Sequence, residues 1–168
     1  MTLYLDTSSL VKLYVAEPCS DAVRGLVAQA NVVATSGIAY PEARAALARR
    51  RRERALTVGA FTRAKRAFED DWTKFLAVEV SASVCREAGE LAERYRLRGY
   101  DAVHLASYLE IARGAGVAET QFSSFDDRLN RAAQTAGRAM ARASSREARG
   151  RRRSSRMATS ASSRTSGA

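Results

Sequence analysis

"LYLDTSSLVKLY", residues 3–14, decides the fold. The apolar triplet at 3–5 reads as a strand, and it stops on a lone carboxylate, Asp6. Three hydroxyl residues follow, Thr7, Ser8 and Ser9. Leu10, Val11, Leu13 and Tyr14 then recur at helical spacing. The same alternation continues outward. "NVVATS" (31–36), "LAVEVS" (76–81) and "ETQFSS" (119–124) read as further strands. Between them run helical stretches. Ser20-Asp21 opens one that passes through Leu26 and Val27. Residues 38–56 form a second, with Pro41 in its first turn, where a missing N–H costs nothing. Residues 57–75 form a third, with Phe61, Phe68, Trp72 and Phe75 near one face. Residues 81–97 form a fourth, and Gly99 ends the turn after it. A fifth is opened by Asp101 and closed by Gly114 and Gly116. A short last helix covers 126–137. Strands alternating with helices predict an α/β fold: a three-layer α/β/α sandwich around a mostly parallel sheet.

The chain has 168 residues, enough for one domain with a proper core, and 46% of them are hydrophobic. Its net charge of +10 is uneven. Residues 138–168 hold nine Arg and one Glu, a net +8, which leaves +2 for the preceding 137 residues. We therefore divide the chain into a folded domain, 1–137, and a basic tail, 138–168. Rich in Ser, Arg, Ala and Gly, the tail is expected to be disordered and to bind nucleic acid electrostatically or to remain a solvated extension. The two cysteines, Cys19 and Cys85, have no redox or zinc spacing and are expected to be partly buried free thiols. No apolar run is long enough to span a membrane and no export signal precedes the first strand, so a cytoplasmic location is expected. Neither GxGxxG nor GxxxxGK[ST] occurs, which disfavours nucleotide binding through a glycine-rich loop.

In open parallel sheets, sites form beyond the carboxyl ends of the strands. That rule selects four acids: Asp6 after the first strand, Glu42 in the helix after the second, Asp101 after the "RLRGY" turn, and Asp126 past the fourth strand. Gathered in one cleft they would repel one another, and a hard divalent cation, Mg²⁺ or Mn²⁺, would relieve the repulsion. Each acid also has a local reading. Asp6 and Asp101 are plausible helix caps, Glu42 suits a helix dipole, and Asp126 suits a surface turn. Ser8 and Ser124, each two residues from an acid, would orient a carboxylate or a water, or bond their own backbone. His104, the only histidine, is one turn after Asp101 and reads chiefly as a packed helix residue, with phosphate or acid chemistry as the alternative. The "EDDW" cluster (69–72) reads as a solvated face. The "RRRRER" run (49–54) reads as solvated or as a guide for a polyanion.

"LYLDTSSLVKLY", "PEARAAL", "GYDAVHLASYL" and "FSSFDDRLNRAA" together resemble PIN-domain proteins of the VapC type, the toxin ribonucleases of bacterial toxin–antitoxin pairs. The resemblance covers roughly residues 2–136. It implies a PIN-like fold that cuts RNA with Mg²⁺ or Mn²⁺, with the family's acidic quartet on Asp6, Glu42, Asp101 and Asp126 and its hydroxyl on Ser124. It also implies a homodimer silenced by a small antitoxin protein. The chain departs from the family in lacking a short hydrophobic strand after the last helix, and the Asp126-Asp127 pair leaves a choice of ligand, with Asp126 favoured.

Three readings compete. The first is a metal-dependent endoribonuclease in which Asp6, Asp101 and Asp126 hold the metal, directly or through water, and Glu42 binds metal or orients the water. The second is a non-enzymatic nucleic-acid-binding module using the basic tail and the Arg-rich helix. The third is a phosphatase with Asp6 as nucleophile. That chemistry usually wants a second acid two residues on, where Ser8 stands.

Overall fold

The triplet Leu3, Tyr4 and Leu5 forms the middle of the sheet. Strand β1 (Thr2–Leu5) pairs in parallel with β2 (Val32–Ser36) and β4 (Thr120–Ser123), and β3 (Leu76–Val78) pairs with β2. The order is β3-β2-β1-β4 with every pairing parallel. A central strand of such a sheet is covered on both faces, so all three side chains of the triplet are fully buried. The computed structural model describes residues 1–162, with side chains over 1–146.

Side chains alternate across the sheet and feed two cores. Leu3 and Leu5 enter a core with Leu10, Val23, Leu47 and Phe68. These come from α1 (Thr7–Leu10), α2 (Ser20–Gln29), α3 (Ala39–Arg52) and α4 (Val58–Trp72). Tyr4 enters the opposite core with Leu91, Leu105 and Leu129. Those come from α5 (Ala82–Tyr95), α6 (Gly99–Ala115) and α7 (Asp127–Ser162). The expected three-layer α/β/α sandwich is thus the fold. Phe68 anchors the first core, with the rings of Tyr14, Tyr40 and Trp72 packed at tilted or edge-on angles 5.4–5.5 Å away. The aromatic face expected on the third helix is therefore the buried one.

Several boundaries differ from expectation. The helix from 38 stops at Arg52, where Arg54 adopts a left-handed φ of 60°. The third strand is only Leu76–Val78. Helix α6 begins at Gly99, so Asp101 lies in its first turn and is not the residue that opens it. Ser20 lies inside α2, where its hydroxyl bonds the Val15 carbonyl at 2.8 Å. Cys19 and Cys85 are exposed, not partly buried. The last helix does not end at Gly137. That glycine stays helical and buried, and a Cβ there would meet the Tyr108 hydroxyl at 3.4 Å and Val117 Cγ1 at 3.5 Å, ordinary contact distances. Helix α7 runs on through it to Ser162, with Met140 still against the core. Part of the expected tail, 138–162, is described as continuing α7, and 163–168 lie outside the described residues. Among the described residues there are four strands and no additional one after α7 begins.

Candidate active site

Asp6 follows β1 directly. Its N–H bonds the Ser123 carbonyl at 3.1 Å, which ties the ends of β1 and β4 together. The Asp6 side chain is 5% exposed and caps α1 by accepting the Ser9 N–H at 2.9 Å. The Ser8 hydroxyl reaches both carboxylate oxygens, at 2.8 and 2.9 Å. From the other end of the chain, the Ser124 hydroxyl donates to Asp6 Oδ2 at 2.7 Å. These serines also organise the loop to α7. Ser8 Oγ accepts the Phe125 N–H at 2.8 Å, and Ser124 Oγ accepts the Asp126 N–H at 3.0 Å. Asp126 Oδ1 then caps α7 by accepting the Leu129 N–H at 2.9 Å.

Glu42 is fixed from a different direction. Its Oε2 accepts bonds from Thr7 Oγ1 and, at 2.9 Å, from His104 Nε2. His104 is 3% exposed, and its Nδ1 lies 3.1 Å from the Tyr4 hydroxyl. The set closes when Nε2 carries the proton and Nδ1 accepts from Tyr4, a tautomer assigned from the bonding pattern. Burial pushes the Glu42 carboxyl up, but the His104 and Thr7 hydrogen bonds outweigh it, and the net shift is downward. His104 is thus a packed helix residue and a site residue at once. Thr7 and Tyr4 were not singled out by the sequence. Position 7 carried a signal in the hydroxyl run beside Asp6, whereas Tyr4 looked only like strand.

Asp6, Glu42, Asp101 and Asp126 line one pocket of about 450 Å³, and Asp127 is not among its lining residues. Burial raises the Asp101 carboxyl above its ordinary range, the charges of Asp126 and Asp6 push it further, and Arg98 and His104 oppose them. The acids are therefore close enough to feel one another across the pocket. Its rim is basic. Arg49 and Arg50 from the Arg-rich run line it, with Arg98 and Lys12. Arg50 and Lys12 are both held by Glu17. The cluster at 69–72 lies elsewhere, where Glu69 pairs with Arg44 and Asp71 with Lys74. A larger groove of about 750 Å³ between α5, α6 and α7 holds none of the four acids, so chemistry and not size selects the site.

The PIN domain family model matches residues 3–134. The chain belongs to the PIN domain family. Its relatives include ribonuclease VapC45 and ribonuclease VapC49 of Mycobacterium tuberculosis, each 39% identical over 135 residues, covering 80% of this chain and 91% of the relative. Ribonuclease VapC46 of the same organism is 34% identical over 138 residues, covering 82% of this chain and 95% of the relative. A crystal structure of M. tuberculosis VapC20, described as a sarcin-ricin loop cleaving toxin, is similar in fold, with a TM-score of 0.58 and 24% identity over 77% of this chain and 94% of that one.

The PIN site offers carboxylate oxygens and hydroxyls, with no cysteine. Among the described residues, no three acids or histidines close into a compact metal cage. The acids instead face a shared space, and two of them raise the third. That arrangement fits a hard cation such as Mg²⁺ or Mn²⁺, which keeps several waters and takes few protein ligands.

Proposed function

We propose that this chain is a VapC-type endoribonuclease, the toxin of a type II toxin–antitoxin pair, and that it hydrolyses RNA phosphodiester bonds with Mg²⁺ or Mn²⁺. One observation carries the reading: four acids from four separate chain segments face one pocket whose rim is basic. A divalent cation bound there supplies Lewis acidity toward a phosphate oxygen and lowers the pKa of a water.

Asp6, Asp101 and Asp126 would hold the cation. Asp6 has two oxygens with about four acceptor positions, and three protons occupy them: those of Ser8, Ser9 N and Ser124. One position remains for a cation or its water. Asp126 spends Oδ1 on the helix cap and keeps Oδ2. Glu42, ionised and aimed by Thr7 and His104, keeps Oε1 for orienting the attacking water or taking its proton. Arg49 and Arg98 offset phosphate charge on the pocket wall. We assign the nuclease unit to residues 1–137 and treat 138–168 as a basic appendage that adds non-specific attraction to RNA. A homodimer, a cognate small antitoxin and a cytoplasmic setting belong to the same proposal. Among the described residues, no helix is long and apolar enough to cross a membrane.

The test is cleavage of a mixed RNA pool. We expect cutting that needs added Mg²⁺ or Mn²⁺ and disappears in Asp6→Asn and Asp101→Asn. A folded Asp6→Asn protein as active as the parent would overturn the assignment.

A further inference from the structure

We infer that Phe125, braced by Lys12, is a stacking platform for an unpaired nucleobase beside the scissile phosphate. The inference rests on the nuclease reading and names a feature of the substrate: the nucleotide next to the cut is single-stranded. Phe125 is 46% exposed. The other large apolar side chains exposed among the described residues are Met1, Val32, Val58, Leu76 and Tyr100, and none of them lines the acidic pocket. Phe125 does, and it sits in the chain between Ser124, bonded to Asp6, and Asp126.

Three features make it a built surface. Its backbone is pinned, because its N–H donates to Ser8 Oγ at 2.8 Å, the same hydroxyl that bonds Asp6. The ring is therefore registered to the acids. One face is covered by the Lys12 ammonium, 4.2 Å from the ring centroid, and that ammonium is itself held by Glu17 and the Pro18 carbonyl, each at 2.9 Å. A cation fixed on one face orients the ring and leaves the other for a flat partner. Finally, an exposed phenyl in a carboxylate-lined pocket has no favourable neighbour in water, whereas every base has a π-face. A base paired in a duplex cannot present that face, so the platform selects unpaired nucleotides.

The test uses the full chain and two uncleavable probes of equal length, 2′-O-methyl oligoadenylate and the same backbone without bases. Binding is read by fluorescence anisotropy at an ionic strength that suppresses tail contacts. We expect the parent to favour the base-bearing probe by about 5- to 150-fold, the range of one base–aromatic stack. Phe125→Ala and Phe125→Leu should lose that preference while binding the abasic probe as before, and Phe125→Trp should keep it. An unchanged preference in Phe125→Ala overturns the inference, and so does an equal loss on both probes. So does a loss confined to binding of a protein partner. Cleavage of the RNA pool is run in parallel. If the parent does not cut but the Phe125-dependent preference holds, the nuclease reading falls and the base subsite stands. If the parent cuts and Phe125→Ala shows the parent's preference, only the subsite falls.

Discussion

Ser124→Ala tests how the site is held together. The hydroxyl donates to Asp6 Oδ2 at 2.7 Å and accepts the Asp126 N–H at 3.0 Å, so its removal touches two acids at once. A hydrogen bond to a charged group contributes about 1.5–3 kcal/mol. Here the lower end applies. Ser8 and Ser9 still serve Asp6, and Asp126 and Ser124 lie at a part-open rim where water can replace the lost partner. We therefore expect Ser124→Ala to lose about 1.5 kcal/mol, roughly 3–6 °C in Tm for a chain of this size. Ser8→Ala should cost about 2 kcal/mol, because it also frees the Phe125 N–H. In the double variant Asp6 keeps only the Ser9 N–H, with no second hydroxyl to compensate, so the loss should exceed the sum of the two by about 0.5–1 kcal/mol. Urea denaturation of the four proteins measures the cycle. RNA cleavage should fall about 10–100-fold in each single variant, the usual cost of disturbing a ligand's supporting partner. Additive losses, or a Ser124→Ala protein within 0.5 kcal/mol of the parent and fully active, would refute the reasoning.

Asp101→Asn should abolish cleavage yet slightly stabilise the metal-free protein. The sign follows from the raised carboxyl. A folded value above the ordinary 3.8 means that stability is lost as pH rises through it, so the gain should be present at neutral pH and fade below that range, as denaturation at pH 7 and pH 3 would show. Glu42 has the opposite sign. Its lowered carboxyl contributes stability above the ordinary 4.5 that is lost as pH falls through the folded value, and His104→Leu should remove it in the same pH series. Phe68→Ala, at the fully buried centre of the first core, should cost about 3–5 kcal/mol by urea denaturation. Truncation after Arg146 keeps Met140 on the core and removes six tail arginines, so it should weaken RNA binding and flatten its salt dependence while leaving metal-dependent cleavage in place. A parent that binds RNA without cutting it, with binding that survives Asp6→Asn and is lost with the tail, would favour the binding-module reading.

The acids were legible because their positions follow from topology. A parallel sheet brings the carboxyl ends of its strands to one edge, so Asp6, Glu42 and Asp126 could be gathered from strand ends alone, without knowledge of strand order. Asp101 needed more, since it lies in the first turn of α6 and no strand ends beside it. Pairings across the pocket were less visible. Periodicity puts His104 on a face of its helix but does not say that Glu42 stands opposite, because α3 and α6 cover opposite faces of the sheet and their N-terminal turns approach only beyond its carboxyl edge. Lys12, Glu17 and Phe125 were invisible for the same reason, as their contacts join a 3-10 turn, a loop and the start of α7. Gly137 misled because a glycine near the end of an apolar stripe reads as a stop, whereas here it stays buried inside α7, which runs on with Met140 against the core.

Asp6 shows why helix capping and metal binding were never exclusive readings of one residue. A carboxylate has about four acceptor positions, and a cap uses one. Using that one fixes the side chain rotamer, since the Ser9 N–H is part of the helix and cannot follow a drifting oxygen. The cap thereby performs the orienting that a catalytic carboxylate needs, and the helix it begins carries Ser8 to the same oxygens. Asp126 repeats the device at the start of α7, with Oδ1 on the Leu129 N–H. In both places the strand ends, the acid caps the next helix, and an acceptor position is left at the sheet edge: one on Asp6 beside its serine bonds, and Oδ2 on Asp126. A strand that ends on an acid and turns at once into a helix is therefore an economical way to hold a carboxylate still in a pocket where its neighbours repel it.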